Sequence, residues 1–363
     1  MPKKILFIYN QVVAEERKAC FGECALVKDV DAIREALKES NNHILSLDLH
    51  SPLQLEEFIL ANHSIDLAFV IAEGFKANPH TLYNGHGAAL VRRYLAKYNI
   101  PCTHSSFESM EVCRNKDLTY ARLRERGIPI PQYLVFETHF INNIKCIEAQ
   151  VSEIGYPVII KPAGGGNSIG ISSKSVVYNF KDLMEQVKTV QKQLGHTTLI
   201  IEKYLAGQEY TIGILGNKEK YVLPVIGFPK NLGVRDAGTK ITEHTLRDKF
   251  EFITESDKRF NNLLELGVDS FEAVLANDVL RIDLKEDELG NIYVIDVNGT
   301  PALSFTGSLN FMANKAGLKH NQLVQLVLYK SMLRYGLAPN IFFDELVKGL
   351  ILKLIKHESI EVA

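Results

Sequence analysis

Apolar positions in the first hundred residues follow two alternating rhythms. Short segments rich in apolar residues at 5–9, 43–49 and 67–71 read as strands. Between them, segment 24–37 places Ala25, Val27, Val30, Ile33 and Leu37 at helical spacing, and segments 53–62 and 87–98 read as two more helices. A short strand at 101–103 closes the unit. Strand and helix in alternation predict a parallel sheet with helices on both faces. In such sheets ligands bind at the turns that follow the strands. No G-x-G-x-x-G follows the first strand, so a dinucleotide site is not indicated.

From residue 104 the rhythm changes. A charged helix at 115–126 is ended by Gly127 and Pro129. A strand at 133–136, a helix at 144–153 and a strand ending at Lys161 follow, and a strand at 172–177 returns. A third unit begins near 199, with strands at 199–202, 209–215 and 221–228. The aperiodic stretch 229–248 reads as a long loop, of the kind that often covers an active site. Runs at 279–284 and 293–297 read as a strand pair joined by the acidic turn 285–291. Helices at 308–316, 321–335 and 344–357 finish the chain. The expected class is α/β, divided as 1–104, 105–200, 201–340 and a helical tail, 341–363. The tail's apolar face (Phe343, Leu346, Val347, Leu350, Ile351, Leu354, Ile355) is expected to pack on its own domain, with a homodimer contact as the alternative.

Composition narrows the choice of partners. The chain has 363 residues, enough for two or three domains, and a net charge of −2 with Lys and Arg spread along it. No basic block points to nucleic acid. No run approaches the ~18 apolar residues that read as a membrane span, and the first run stops at Asn10, too early for a signal peptide. The five cysteines are irregularly spaced, which suits reduced thiols in a cytoplasmic protein.

Three clusters carry chemistry. In Lys161-Pro162-Ala163-Gly164-Gly165-Gly166-Asn167-Ser168-Ile169-Gly170, a lysine ends a strand and a loop almost without side chains follows. Glycines let backbone N–H groups turn toward a ligand, phosphate is their usual guest, and the lysine adds a mobile positive charge. Taken alone, the stretch fits a flexible hairpin equally well. It is not a Walker A loop, because strand leads to strand and no lysine follows Gly170. The second cluster is Arg281-Ile282-Asp283 with Asp296-Val297-Asn298. Alternation puts each polar pair on one face, and a hairpin would bring the two faces together. Two carboxylates and an amide oxygen are hard ligands suited to Mg²⁺ shared with phosphate; a solvated strand face explains the alternation alone. The third cluster, 202–209, places Glu202 and Glu209 on either side of a glycine turn, where they could accept hydrogen bonds from hydroxyls or an exocyclic amine. An acidic surface turn is the plainer reading.

Taken in order, Lys116, Lys161 and its glycine loop, Glu202, Glu209, R-x-D and D-x-N resemble the ATP-grasp fold. More narrowly they resemble the D-alanine–D-alanine ligase branch, over roughly residues 1–335, since Ala72-Glu73-Gly74 and Gly127-Ile128-Pro129 also fit in order. The resemblance implies an N-terminal Rossmann-like substrate domain, a central subdomain with the glycine loop, and a C-terminal subdomain with the metal and substrate sites. It implies ATP with one or two Mg²⁺, or Mn²⁺ in their place, and small-molecule substrates: amino acids, or another carboxylate and amine. Lys116 and Lys161 would contact the α- and β-phosphates. Gly165, Gly166 and Ser168 would close over the β- and γ-phosphates, and Lys240 would reach the γ-phosphate. Glu202 would lie near the adenine, with Lys203, Tyr204 and Leu205 beside it, and Glu209 would bind the ribose. Asp283, Asp296 and Asn298 would hold the metal. Arg281 would stabilise the oxyanion, while Ser168, Asn298 and Ser308 would help bind the substrates. The implied reaction activates a carboxylate as an acyl phosphate, which an amine then attacks.

Departures from the family pattern cluster on the substrate side. Asp296 stands where glutamate is usual, Ile241 where a loop tyrosine is usual, and Ala302 where glycine is usual, with an extra residue ahead of Ser308. Loop 10–16 lacks a glycine pair, leaving Glu15 or Glu16 to hold the first substrate's amino group. These changes leave open a nucleotide-binding regulatory protein without turnover, or an enzyme that transfers the acyl group to a thiol or hydroxyl. Retention of Arg281 favours a working ligase, because a binder needs no oxyanion arginine.

Overall fold

The computed structural model describes the chain except residues 138–143, 167, 231–233, 235–249, 357–359 and 363. Its strands are β1 (Lys4–Tyr9), β2 (Gln11–Val12), β3 (Ala25–Leu26), β4 (His43–Asp48), β5 (Leu67–Val70), β6 (Tyr133–Glu137), β7 (Val158–Pro162), β8 (Val176–Val177), β9 (Thr198–Lys203), β10 (Glu209–Gly216), β11 (Lys220–Val222), β12 (Val225–Gly227), β13 (Glu251–Ile253), β14 (Asp278–Glu286), β15 (Ile292–Asn298) and β16 (Ile360–Val362). Its helices are α1 (Val27–Lys38), α2 (Pro52–Ala61), α3 (Gly87–Lys97), α4 (Phe107–Arg114), α5 (Lys116–Glu125), α6 (Ile144–Ile154), α7 (Phe180–Leu194), α8 (Phe260–Ala273), α9 (Ser308–Lys315), α10 (His320–Arg334) and α11 (Ile341–Lys356).

The N-terminal strands form the parallel sheet that their rhythm predicts, in the order β4-β1-β5, with a single bridge from Ala68 to Cys102 in place of a further strand. Both faces are apolar because both are covered. Leu6, Ile8, Ala68 and Val70 pack with residues of α2 and α3, while Ile5, Phe7 and Phe69 pack with α1. The second sheet, β6-β9-β7-β8, is antiparallel and packs one face on α6 and α7. In the third, β10 is central. It pairs with β14 along one edge and with β11 and β12 along the other.

Three expectations change. The returning strand at 172–177 shortens to β8, because Ser172 and Ser175 exchange side-chain and backbone hydrogen bonds in a tight turn. The strand expected at 221–228 divides into β11 and β12 at Leu223-Pro224, where proline has no N–H to give the ladder. Helices α4, α7 and α8 occupy segments that the expectations above leave unassigned. The tail packs within the chain along most of its expected face: Phe343, Val347, Leu350 and Leu354 of α11 are buried in a core shared with α10 and also with α1 and the first sheet, while Ile355 is exposed.

One buried pair ties the C-terminal helices to the rest. Asp278, fully buried at φ +65, accepts hydrogen bonds from Ser331, Asn217 and both Nε and Nη2 of Arg334. The same guanidinium also donates to the carbonyls of Cys102 and His104, at 3.0 and 2.8 Å. Asp278→Ala strands that cation in the interior. We expect a loss of about 3–5 kcal/mol in stability, read from the shift of the guanidinium chloride unfolding midpoint.

Candidate active site

The site begins where α5 meets the end of β7. The N–H of Lys116, first residue of the helix, donates to the carbonyl of Ala163 at 2.9 Å, and Asn115 bridges to Gly164. Lys116 and Lys161 are thereby held at one mouth. On β7 and β9 the side chains alternate: Ile160, Leu199 and Ile201 face the helices, and Lys161 and Glu202 line a cleft. Lys161 pairs with Glu202 at 2.5 Å, and the hydroxyl of the buried Tyr120 donates to the other Glu202 oxygen at 2.8 Å. Burial alone would lower the lysine's pKa. Glu202 beside it outweighs this and leaves it raised, so the ammonium stays charged.

Strands β14 and β15 pair as the hairpin reading expects. Arg281 lies opposite Asn298, and Asp283 opposite Asp296. A bulge next to this pair leaves Ile295 without a partner, so Val294 and Val297, three apart, both reach the core while Ile295 and Asp296 line the cleft. Arg281 grips Asp283 through Nε and Nη2, at 3.1 and 3.0 Å, and the Thr211 hydroxyl donates to Asp283 at 2.6 Å. Lys116 pairs with Asp296 at 3.2 Å. Burial would raise the Asp296 pKa, but Lys116 and Arg281 dominate and hold the carboxyl down at about 2. The Asn298 amide lies 3.4 Å from Asp296. Among the described residues no three His, Cys, Asp or Glu side chains gather as a metal-binding group. Two facing carboxylates and one amide oxygen therefore fit Mg²⁺ only in the form that takes its remaining ligands from phosphate and water.

Gly164, Gly165, Gly166, Ser168, Tyr204, Leu205 and Glu209 also line this cleft. Lys285 reaches Glu209 at 3.4 Å. Gly165 has φ +83, and a Cβ there would lie 2.5 Å from the Tyr83 carbonyl oxygen; a Cβ on Gly166 would lie within 3 Å of Glu23 and Arg114. The glycines thus also let the loop sit against the N-terminal part of the chain.

A second, larger cleft adjoins the first, and Ser168, Ile169 and Ile171 line both. Arg281, Asn298 and Ser308 open onto it. So do Glu23, Glu73 and Arg114, to which sequence reasoning gave no role. The only signal for Glu23 was a carboxylate just ahead of the first helix.

Two expected residues lie elsewhere. Glu15 sits exposed in a turn and lines neither cleft. The side chain of Lys203 points away from the cleft, to the carbonyls of Gly155 and Tyr156 at 3.1 and 3.2 Å; next to Glu202 on a strand, it must face the opposite way. Lys240 and Ile241 lie outside the described residues.

Residues 123–329 match the family described as D-ala D-ala ligase C-terminus. The chain belongs to the D-alanine–D-alanine ligase family. It is similar to the D-alanine–D-alanine ligase of Pelotomaculum thermopropionicum, 25% identical over 318 residues that cover 86% of this chain and 93% of that one. D-alanine–D-alanine ligase A of Bacillus cereus is 24% identical over 254 residues, covering 70% and 78% of the two chains. In fold it resembles the Bacillus anthracis D-alanine–D-alanine ligase solved with ATP, with TM-score 0.68, 21% identity and coverage of 92% and 98%. The VanG D-Ala:D-Ser ligase of Enterococcus faecalis gives 0.67, 16%, 91% and 100%. The ATP-grasp fold and the class, an ATP-dependent ligase forming carbon–nitrogen bonds, follow for this member of the family.

Proposed function

We propose that the chain joins two amino acids through an acyl phosphate, with D-alanine the first substrate to try. One observation carries this reading: the lysine-lined cleft and the larger cleft meet at Ser168–Ile171, and the Arg281–Asp283 pair spans them, Asp283 lining the first and Arg281 the second. Triphosphate in the first would thus end where a carboxylate in the second can reach it.

In this reading Lys116 and Lys161 neutralise the α- and β-phosphates, and the loop N–H groups from Gly164 to Ser168 enclose the terminal phosphates. Tyr204 and Leu205 flank the adenine, and Glu209 takes the ribose hydroxyls. Asp283, Asp296 and Asn298 would hold Mg²⁺, which would supply charge neutralisation there. Attack of the carboxylate oxygen on the γ-phosphorus yields the acyl phosphate and ADP. The amine then attacks the acyl carbon, and phosphate leaves with its bonding electrons. Arg281 meets the oxyanion of the tetrahedral intermediate; among the described residues its Nη1 has no hydrogen-bond partner. Glu23, in place of Glu15, takes the amino group of the first substrate, and Ser308 lies at the second. Lys240 keeps its proposed place at the γ-phosphate. Free thiols at all five cysteines and a need for ATP suit the cytoplasm. Among the described residues no helix is long and apolar enough to cross a membrane.

The test is phosphate release from ATP with Mg²⁺ across D- and L-amino acids, singly and in pairs, with mass spectrometry of the products. The expected product is lighter than its two substrates by one water. Release with no amide product would favour a thiol or hydroxyl acceptor, and no release with ATP bound would favour a regulatory protein.

A further inference from the structure

Asp29 sits in the first turn of α1 and lines the larger cleft, although only 4% of it is exposed. Its Oδ1 is buried and receives no hydrogen bond, and among the described residues no Lys, Arg or His side chain reaches it as an ion pair. Lys28 beside it is exposed. An acidic residue in a first turn gains from the helix dipole. That gain needs no burial, and here it does not extend to capping. Leu26 is the N-cap and offers no side-chain hydrogen bond, and Asp29 Oδ1 accepts from none of the free N–H groups of the turn. A buried carboxylate in this condition is costly, and a protein keeps one where a ligand completes it.

The surroundings give that ligand its shape. Ile33 stands one turn further along α1, on the same face as Asp29, and also lines the cleft. Leu303 belongs to the same apolar cluster as Ile33, Ile71 packs against that cluster, and both line the cleft too. This wall is an apolar patch with an unpaired carboxylate beside it. Its complement is an aliphatic stem that ends in a cation. In the ligase reading the larger cleft takes the amino acids, and Glu23 takes the α-amino group of the first. Asp29 is left for a second cation, on a side chain. Alanine has no side-chain atom that can donate to it, so a pair of alanines leaves the carboxylate stranded. Building on the ligase reading, we propose that one of the two joined amino acids carries a basic side chain of the lysine or ornithine kind, and that Asp29 is the residue that selects it.

The experiment measures ADP and product formation by the full chain with ATP and Mg²⁺. The substrates are the D- and L-forms of lysine, ornithine and norleucine, each paired with itself and with alanine. Norleucine keeps the stem of lysine and lacks the amine. We expect kcat/KM for lysine or ornithine to exceed that for norleucine by at least about tenfold, the worth of a charged hydrogen bond. In Asp29→Asn, which keeps the shape and removes the charge, the ratio of lysine to norleucine should fall by about the same factor. Asp29→Glu keeps the charge and should retain most of the preference. Unchanged affinity for a non-hydrolysable ATP analogue shows in each variant that the fold is intact.

Norleucine used as well as lysine by the wild type would overturn the assignment. So would an equal loss for both substrates in Asp29→Asn, which is what a merely structural carboxylate gives. ADP and dipeptide formed only from alanine pairs would sink the basic side chain and spare the ligase. Lysine or ornithine bound in calorimetry, with that binding lost in Asp29→Asn and no ADP formed from any pair, would do the reverse.

Discussion

Arg281→Ala is expected to reduce turnover by about 10²–10³-fold while changing ATP affinity by less than about threefold, measured by product formation and by equilibrium ATP binding. The reasoning starts from position. Arg281 lines the larger cleft, not the first cleft that Lys116 and Lys161 line, and reaches that first cleft only through Asp283. An arginine that meets charge formed during acyl transfer contributes to the transition state, not to nucleotide binding. Its bidentate grip on Asp283 gives it a second, orienting role, so Arg281→Lys should restore charge yet recover only part of the rate, since an ammonium cannot fork across two carboxylate oxygens. Equal loss of ATP affinity and turnover in Arg281→Ala would contradict an oxyanion role for this side chain.

How much of this was legible in the sequence depended on whether the information was local. The R-x-D and D-x-N pairs could be set face to face because alternation on a strand is a property of neighbouring residues. The bulge at Ile295 could not be foreseen, since it depends on Val294 and Val297 both finding the core. Glu202 and Lys203 group together by adjacency in the chain, yet adjacency on a strand is what separates them, and Lys203 turns to the carbonyl of Gly155. Helix α7 carried a readable signal: Asn179 caps it by accepting from the Asp182 N–H, and Leu183, Val187 and Val190 follow at helical spacing. Glu23, Glu73 and Arg114 are scattered over some ninety positions and meet only through the packing of β3, β5 and α4, so no spacing rule could join them. Glu15, expected at the substrate, lines neither cleft for the same reason: its distance from them depends on packing and not on spacing.

The second large effect concerns Lys161. Its ammonium is the buried partner of Glu202, which is 1% exposed and, among the described residues, otherwise receives only the Tyr120 hydroxyl on its side chain. Lys161→Met keeps the apolar length of the side chain and removes the charge, which leaves a buried carboxylate without its cation. Stability should fall by about 3–5 kcal/mol, and ATP affinity should fall with it. These two losses have different origins and can be separated. Adding Glu202→Gln to Lys161→Met removes the stranded charge and keeps an acceptor for Tyr120, so most of the stability should return. ATP affinity should stay low, because nothing in the double variant replaces the cation proposed to meet the phosphates. Chemical denaturation and ATP titration on the wild type, both single variants and the double variant form a complete cycle. Recovery of ATP affinity together with stability would mean that Lys161 serves only to neutralise Glu202, and the phosphates would then have to be met by Lys116 and the loop N–H groups without it.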